Sequence, residues 1–277
     1  MNIKYYLIAI LALAFSSCQP ETVDKVETDT LPPPAPLIHP DFSLTFADLE
    51  EIIAHQPDKI QEEILAKPEV FLDLIEKLIE IPEDLLVLLN KEIGLGAEDR
   101  PTDLVELDEY KHILTLSRRG HHLRKVVMPA LLAMNEAAEQ EGLYLMISST
   151  YRSYEYQKGL FTRYAETDGV EAAERYSARP GKSQHQLGTA IDFGSIDESF
   201  ATTAEGIWIK KHAGEFGFSL SYPQGQEEYT GYMWESWHFR YITPLGCEIE
   251  RKFFGGSQER MLRFLHSNRE YLNNHRI

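Results

Sequence analysis

Two well-separated segments, Ser183-Gln184-His185-Gln186-Leu187-Gly188-Thr189-Ala190-Ile191-Asp192 and Glu235-Ser236-Trp237-His238, hold the side chains best suited to chemistry. His185, Asp192 and His238 offer two imidazoles and a carboxylate as metal ligands, and Glu235 stands beside them as a base. Three nitrogen or oxygen ligands leave the fourth position of a tetrahedral zinc open to water, which separates a catalytic zinc from a closed structural one. The pattern points to metal-assisted hydrolysis.

Side-chain alternation says how such groups could meet. If Thr189 to Phe193 is a strand, Ala190 and Asp192 share one face, while Thr189, Ile191 and Phe193 supply apolar bulk to the other. In Trp237 to Tyr241 the same rule puts His238 and Arg240 together, opposite Trp237, Phe239 and Tyr241. Two strands could then present Asp192 and His238 to one point, with His185 arriving from the loop before. Glu235 lies three residues before His238, on the wrong face of a continuous strand, so a turn or bulge near Ser236 is required.

The elements around these segments read as mixed α and β. A helix around Leu123 to Glu141, started or kinked at Pro129, leads through Gly142 to a strand at Leu143–Ser149, then Tyr151-Arg152-Ser153 and a second helix from Tyr154 to Ala165. The order predicts an α+β fold with a small, largely antiparallel sheet flanked by helices. Residues 42–95 precede it as an all-α segment of unassigned role. Pro57, Pro68 and Pro82, each followed at once by an acid, mark helix starts there. Residues 96–277 form the expected catalytic domain.

Composition narrows the function. The 277 residues carry 27 basic and 44 acidic side chains, a formal charge of -17 that repels polyanions and argues against nucleic acid or an anionic membrane surface as partner. At the N-terminus, Lys4, the apolar run Tyr5 to Phe15 and Ser16-Ser17-Cys18 resemble a bacterial lipoprotein signal peptide, the run being too short to span a bilayer. Residues 1–17 are then a signal peptide and Cys18 the lipidated first residue, ordinary secretory cleavage being the alternative. Residues 18–41 read as a proline-rich linker. The protein is expected in the cell envelope or periplasm, a monomer touching the membrane only through a lipid at Cys18. With Cys18 acylated, Cys247 has no disulfide partner and is expected as a buried apolar residue.

Three motifs, in order, carry a family resemblance. Tyr151-Arg152-Ser153 with Gln157, the Ser-x-His-x-x-Gly-x-Ala-x-Asp segment ending at Asp192, and the Glu-x-Trp-His segment ending at His238 resemble the VanY-like D-alanyl-D-alanine carboxypeptidases of bacterial cell-wall metabolism. The resemblance spans roughly residues 100–255. It implies that Zn2+ is bound by His185, Asp192 and His238, that Glu235 is the general base and that Arg152 stabilises the developing oxyanion. It further implies that Tyr151, Gln157 and Ser183 help bind peptidoglycan stem peptides. The implied reaction is removal of a C-terminal D-alanine. An L,D-carboxypeptidase acting on tetrapeptide stems, dipeptidase or endopeptidase action, and a non-catalytic wall-binding lipoprotein are the competing readings.

Overall fold

The computed structural model describes residues 35–277; the expected signal peptide, the lipidated Cys18 and the linker up to residue 34 lie outside the described residues. Three short helices open the fold. In α1 (Phe46–Ile53) Thr45 and Asp48 form a capping box, with the Asp48 carboxylate accepting from the Thr45 amide at 2.7 Å. Helix α2 (Asp58–Leu65) follows Pro57, and α3 (Pro68–Ile79) starts on Pro68 with Glu69 in its first turn. The third proline, Pro82, opens only a one-turn 3-10 segment, Glu83–Leu85. Leu85, at its end, and Leu86, Leu88 and Leu89 after it are all buried.

These helices share a core with the C-terminal pair α9 (Thr243–Phe253) and α10 (Gln258–Asn274). Phe71 meets Phe253 and Phe264 edge-on at 5.2 and 5.6 Å. Residues 42–95 are thus built into the same body as the end of the chain. The expected linker, 18–41, also ends earlier than its composition suggests: Ile38 and His39 are buried, and His39 Nε2 lies 3.0 Å from Asp73 Oδ1.

A second core underlies the sheet. Strands β1 (Leu104–Glu106) and β3 (His122–Arg124) form a short antiparallel ribbon. The main sheet runs β2 (Thr115–Leu116), β4 (Met146–Ser149), β5 (Ala190–Phe193), β7 (His238–Tyr241), β6 (Phe218–Leu220), with only β2 and β4 parallel. Helices α4 (Met128–Gln140) and α7 (Ala204–His212) bring Leu131, Met134, Trp208 and Ile209 onto Ile147, Ile191, Phe193 and Phe239. This is the expected α+β arrangement, with the apolar members of the alternating strands turned to the helices. On the far side, α5 (Tyr154–Asp168) and α6 (Val170–Tyr176) stand beside the polar face, and the short α8 (Glu227–Thr230) precedes the segment that carries Glu235. Among the described residues no helix is long and apolar enough to cross a membrane.

Two measurements follow from this packing. Phe71→Ala empties the junction between the N- and C-terminal helices and should cost about 3–5 kcal/mol in denaturant unfolding of the whole body. Glu250 on α9 is buried, accepts from Ser219 Oγ at 2.6 Å, and burial pushes its carboxyl up to about 7 from an ordinary 4.5. Between those values the folded protein keeps a proton that the unfolded chain releases, so this group makes stability fall as pH rises from about 4.5 to about 7. Glu250→Gln should flatten that part of a stability-against-pH profile.

Candidate functional site

The register of two strands makes the site. Antiparallel pairing sets Asp192 directly opposite His238 and Ala190 opposite Arg240, so the carboxylate and the imidazole rise side by side from the polar face. Here Asp192 and His238 are both buried. His185 enters from a 3-10 turn, Gln184–Leu187, closed by Gly188 in the left-handed region at φ 69°. A Cβ at Gly188 would come within 2.9 Å of Arg124 Cγ, so the chain needs glycine there both for conformation and for space. The turn is tied to the end of β4, where the Arg152 amide donates to the His185 carbonyl at 3.2 Å.

A hydrogen bond fixes which nitrogen of His185 is free. His185 Nδ1 donates to the Thr150 carbonyl at 2.6 Å, leaving Nε2 as a bare lone pair. That Nε2 is buried, has no hydrogen-bond partner and lies 3.1 Å from Asp192 Oδ2. His238 Nε2 faces Gln184 Oε1 at 3.1 Å and its Nδ1 lies 2.9 Å from Asp192 Oδ1; both neighbours are acceptors, and a metal ion at the cluster would take the Nδ1 lone pair and leave the proton on Nε2. Burial, and next the Arg152 guanidinium, push His185 down to about 4, which keeps it neutral. Two imidazole nitrogens and one carboxylate oxygen, all within 4.8 Å of one another, form a donor set suited to zinc. The orphaned lone pair of His185 is the observation that asks for a cation.

Glu235 reaches this cluster through the turn that alternation demanded. Residues 236 and 237 form it, the His238 amide donates to the Glu235 carbonyl at 3.3 Å, and Glu235 Oε2 comes to 3.5 Å from His238 Nδ1. Burial pushes the Glu235 carboxyl up to about 7, within reach of a proton-transfer role at neutral pH. Arg152 lies on the other side, its Nη2 3.5 Å from Asp192 Oδ2 and its Nη1 donating to Gln157 Oε1 at 3.0 Å.

The remaining candidates divide. Ser183 lines a small inner pocket of about 40 Å³ together with Arg152, His185, Glu235 and His238. Gln157 is buried and its amide is committed inside the protein, accepting from Arg152 and donating to the Ala178 carbonyl at 2.7 Å. It therefore holds Arg152 and the loop after α6, where the family resemblance implied a substrate contact. Tyr151 is not brought to the cleft: its ring lies 5.8 Å from the Arg100 guanidinium carbon. Tyr232, which its type suggests as core or cleft wall, lines the inner pocket with a buried hydroxyl that has no partner. No spacing signal could have found it, because it sits in an irregular segment. An outer cleft of about 530 Å³ continues from Arg152, Asp192 and Glu235 between Tyr156, Leu160 and Tyr164 of α5 and Ile196, Met233 and Trp237.

Known proteins share this arrangement of sequence. The family model described as VanY, D-alanyl-D-alanine carboxypeptidase, matches residues 120–244. A Bacillus subtilis (strain 168) protein named as carboxypeptidase YodJ is 37% identical over 178 residues, which cover 62% of this chain and 64% of that one. A D-alanyl-D-alanine carboxypeptidase of Enterococcus faecium is 27% identical over 174 residues, 61% and 55% of the two chains. The chain thus spans less than two thirds of these curated relatives. Among solved structures, the LdcB LD-carboxypeptidase matches with a TM-score of 0.59 at 32% identity, covering 66% of this chain and 87% of that one. A VanY D,D-pentapeptidase from a VanB-type resistance cassette, solved in complex with Zn(II), matches with a TM-score of 0.52 at 27% identity, covering 65% and 99%.

If the donor set holds zinc in the folded state only, the metal should stabilise the fold by mass action. Free zinc at a hundred times its dissociation constant is expected to add about 2.7 kcal/mol. Thermal unfolding with chelator, and again after zinc is restored, checks this; coincident melting curves would deny the cluster a metal.

Proposed function

The chain belongs to the VanY family of D-alanyl-D-alanine carboxypeptidases, and we propose that it is an exported zinc peptidase that removes the C-terminal D-alanine of peptidoglycan stem peptides. The observation that carries this reading is the convergence of His185 Nε2 and His238 Nδ1 on Asp192, with the Glu235 carboxylate 3.5 Å from His238 Nδ1. Held by His185, Asp192 and His238, zinc supplies a Lewis acid that acidifies water and polarises the scissile carbonyl.

The chain's own groups do the rest. Glu235, poised near neutrality by burial, takes a proton from the attacking water and returns it to the leaving amine. Arg152, held in place by Gln157, faces the carbonyl oxygen and stabilises charge that appears only in the transition state. Ser183, the Tyr232 hydroxyl and the unpartnered Arg152 Nε offer donors to a terminal carboxylate, and the small inner pocket suits a residue no larger than alanine. The outer cleft takes the rest of the stem. Export, with anchoring by a lipid at Cys18, fits a substrate outside the cytoplasm, and the net charge of -17 fits the exclusion of nucleic acid.

A second reading, release of D-alanine from tetrapeptide stems by cutting an L,D bond, is favoured by the match to the LdcB LD-carboxypeptidase. Both substrates end in the same residue and would use the same inner pocket. A wall-binding lipoprotein without turnover would have no use for a buried Glu235 and Arg152 beside the ligands.

Glu235→Gln tests the reading. It should retain one zinc per chain by metal analysis and lose hydrolysis by about 100-fold or more; unchanged turnover would move the base elsewhere. Tyr232→Phe should weaken substrates with a free terminal carboxylate by about tenfold or more in kcat/KM. It should leave C-terminally amidated analogues, already poor, nearly untouched.

A further inference from the structure

We propose that Gln184 is a positioning residue of the metal centre: it selects the Nδ1-ligating tautomer of His238 and locks the ring through a neutral amide relay anchored on α10. This rests on the zinc reading above. Gln184 Oε1 accepts from His238 Nε2 at 3.1 Å and from Ser221 Oγ at 2.7 Å. Its Nε2 donates to Gln258 Oε1 at 3.3 Å, and Gln258 Nε2 donates in turn to the Ser219 carbonyl at 3.4 Å. All four side chains, Gln184, Ser221, Gln258 and His238, are buried.

The proton count runs in one direction only. Gln258 is fixed by a carbonyl, which can only accept, so its Oε1 must face Gln184 Nε2; Gln184 Oε1 is then left towards His238 and Ser221. An oxygen at that position accepts the proton carried on His238 Nε2, the tautomer in which Nδ1, beside Asp192, is free to ligate a metal ion. Without that acceptor the ring can hold its proton on Nδ1, which would point a hydrogen where a ligand lone pair is needed.

The relay is also uncharged. His185 is backed by a backbone carbonyl and His238 by an amide, so Asp192 is the one anion among the three ligands and their hydrogen-bonded backing groups. Neutral backing preserves the electrophilicity of a dication that carboxylate partners would partly cancel.

The test is the zinc dissociation constant, measured by competition with a chromophoric chelator on the purified protein, with the melting temperature of the metal-free form as companion readout. Gln184→Met, which keeps length and loses the acceptor, should weaken zinc by about 10-fold to 100-fold. Gln184→Glu restores an acceptor to Nε2 and should recover most of that loss. Ser221→Ala leaves Gln184 Oε1 one donor fewer and should weaken zinc in the same direction by less. If Gln184→Met does not fold, the Glu and Ala variants carry the comparison. A lowered metal-free melting temperature with an unchanged zinc constant in these variants would overturn the proposal and make the relay merely a core network. Absence of tight zinc binding by the unaltered protein would overturn the zinc reading together with it.

Discussion

A buried carboxylate between two buried imidazoles needs cationic partners to complete the balance of charge, and the molecule is arranged around that condition at Asp192. Unpaired buried anions cost several kcal/mol. Here the pairing of β5 with β7 sets the anion against His238, the turn before β5 brings His185 from the other side, and Arg152 closes the cluster at 3.5 Å. His185 Nδ1 and His238 Nε2 each face an acceptor on the side away from Asp192, which suits a metal ion taking the inner nitrogens. Glu235, raised to about 7 by its burial, stands beside the three ligands as the group that can exchange a proton near neutral pH.

The segment before the catalytic fold contributes to this order. From Leu85 to Gly96 the chain lies along the loops that carry the site: the Leu95 amide donates to the Gly181 carbonyl at 2.8 Å, and Gln186 Nε2 donates to the Gly96 carbonyl at 2.7 Å. Lys182 Nζ donates to the Glu92 carbonyl at 2.7 Å, and Lys91 Nζ lies 4.6 Å from the Tyr232 ring centre. Gly181, at φ 79°, allows the approach, since a Cβ there would lie 2.2 Å from the Leu95 carbonyl oxygen. Arg240, fully buried on the face that carries His238, donates to the Leu85 carbonyl at 3.1 Å. The helices at 46–79 anchor this strap through the core they share with α9 and α10.

Much of the site was legible in the sequence because alternation is a strict rule. Period two put Asp192 and His238 on polar faces, and the position of Glu235 required a turn at Ser236, where residues 236 and 237 have one. The helix starts at Pro57 and Pro68 followed from proline and acid chemistry, and the start at Pro82 yields only one 3-10 turn. Strand β4 is shorter than its β propensity suggested, beginning at Met146. What spacing could not reveal were contacts between distant segments. Gln184 was only a variable position within a motif, and its meaning comes from Ser221 and Gln258. Tyr232 acquires its place from the fold of an irregular loop, and Gln157 proves to be occupied with Arg152 for the same reason.

The central claim is that this constellation releases D-alanine with metal help. Mass spectrometry of stem peptides ending in D-Ala-D-Ala, or in a single D-Ala, incubated with the protein tests it most directly. The account predicts loss of one alanine from the first, abolished by chelator and restored by zinc; loss from the second alone would select the L,D reading. Intact peptides of both kinds after incubation with zinc-loaded protein would contradict it.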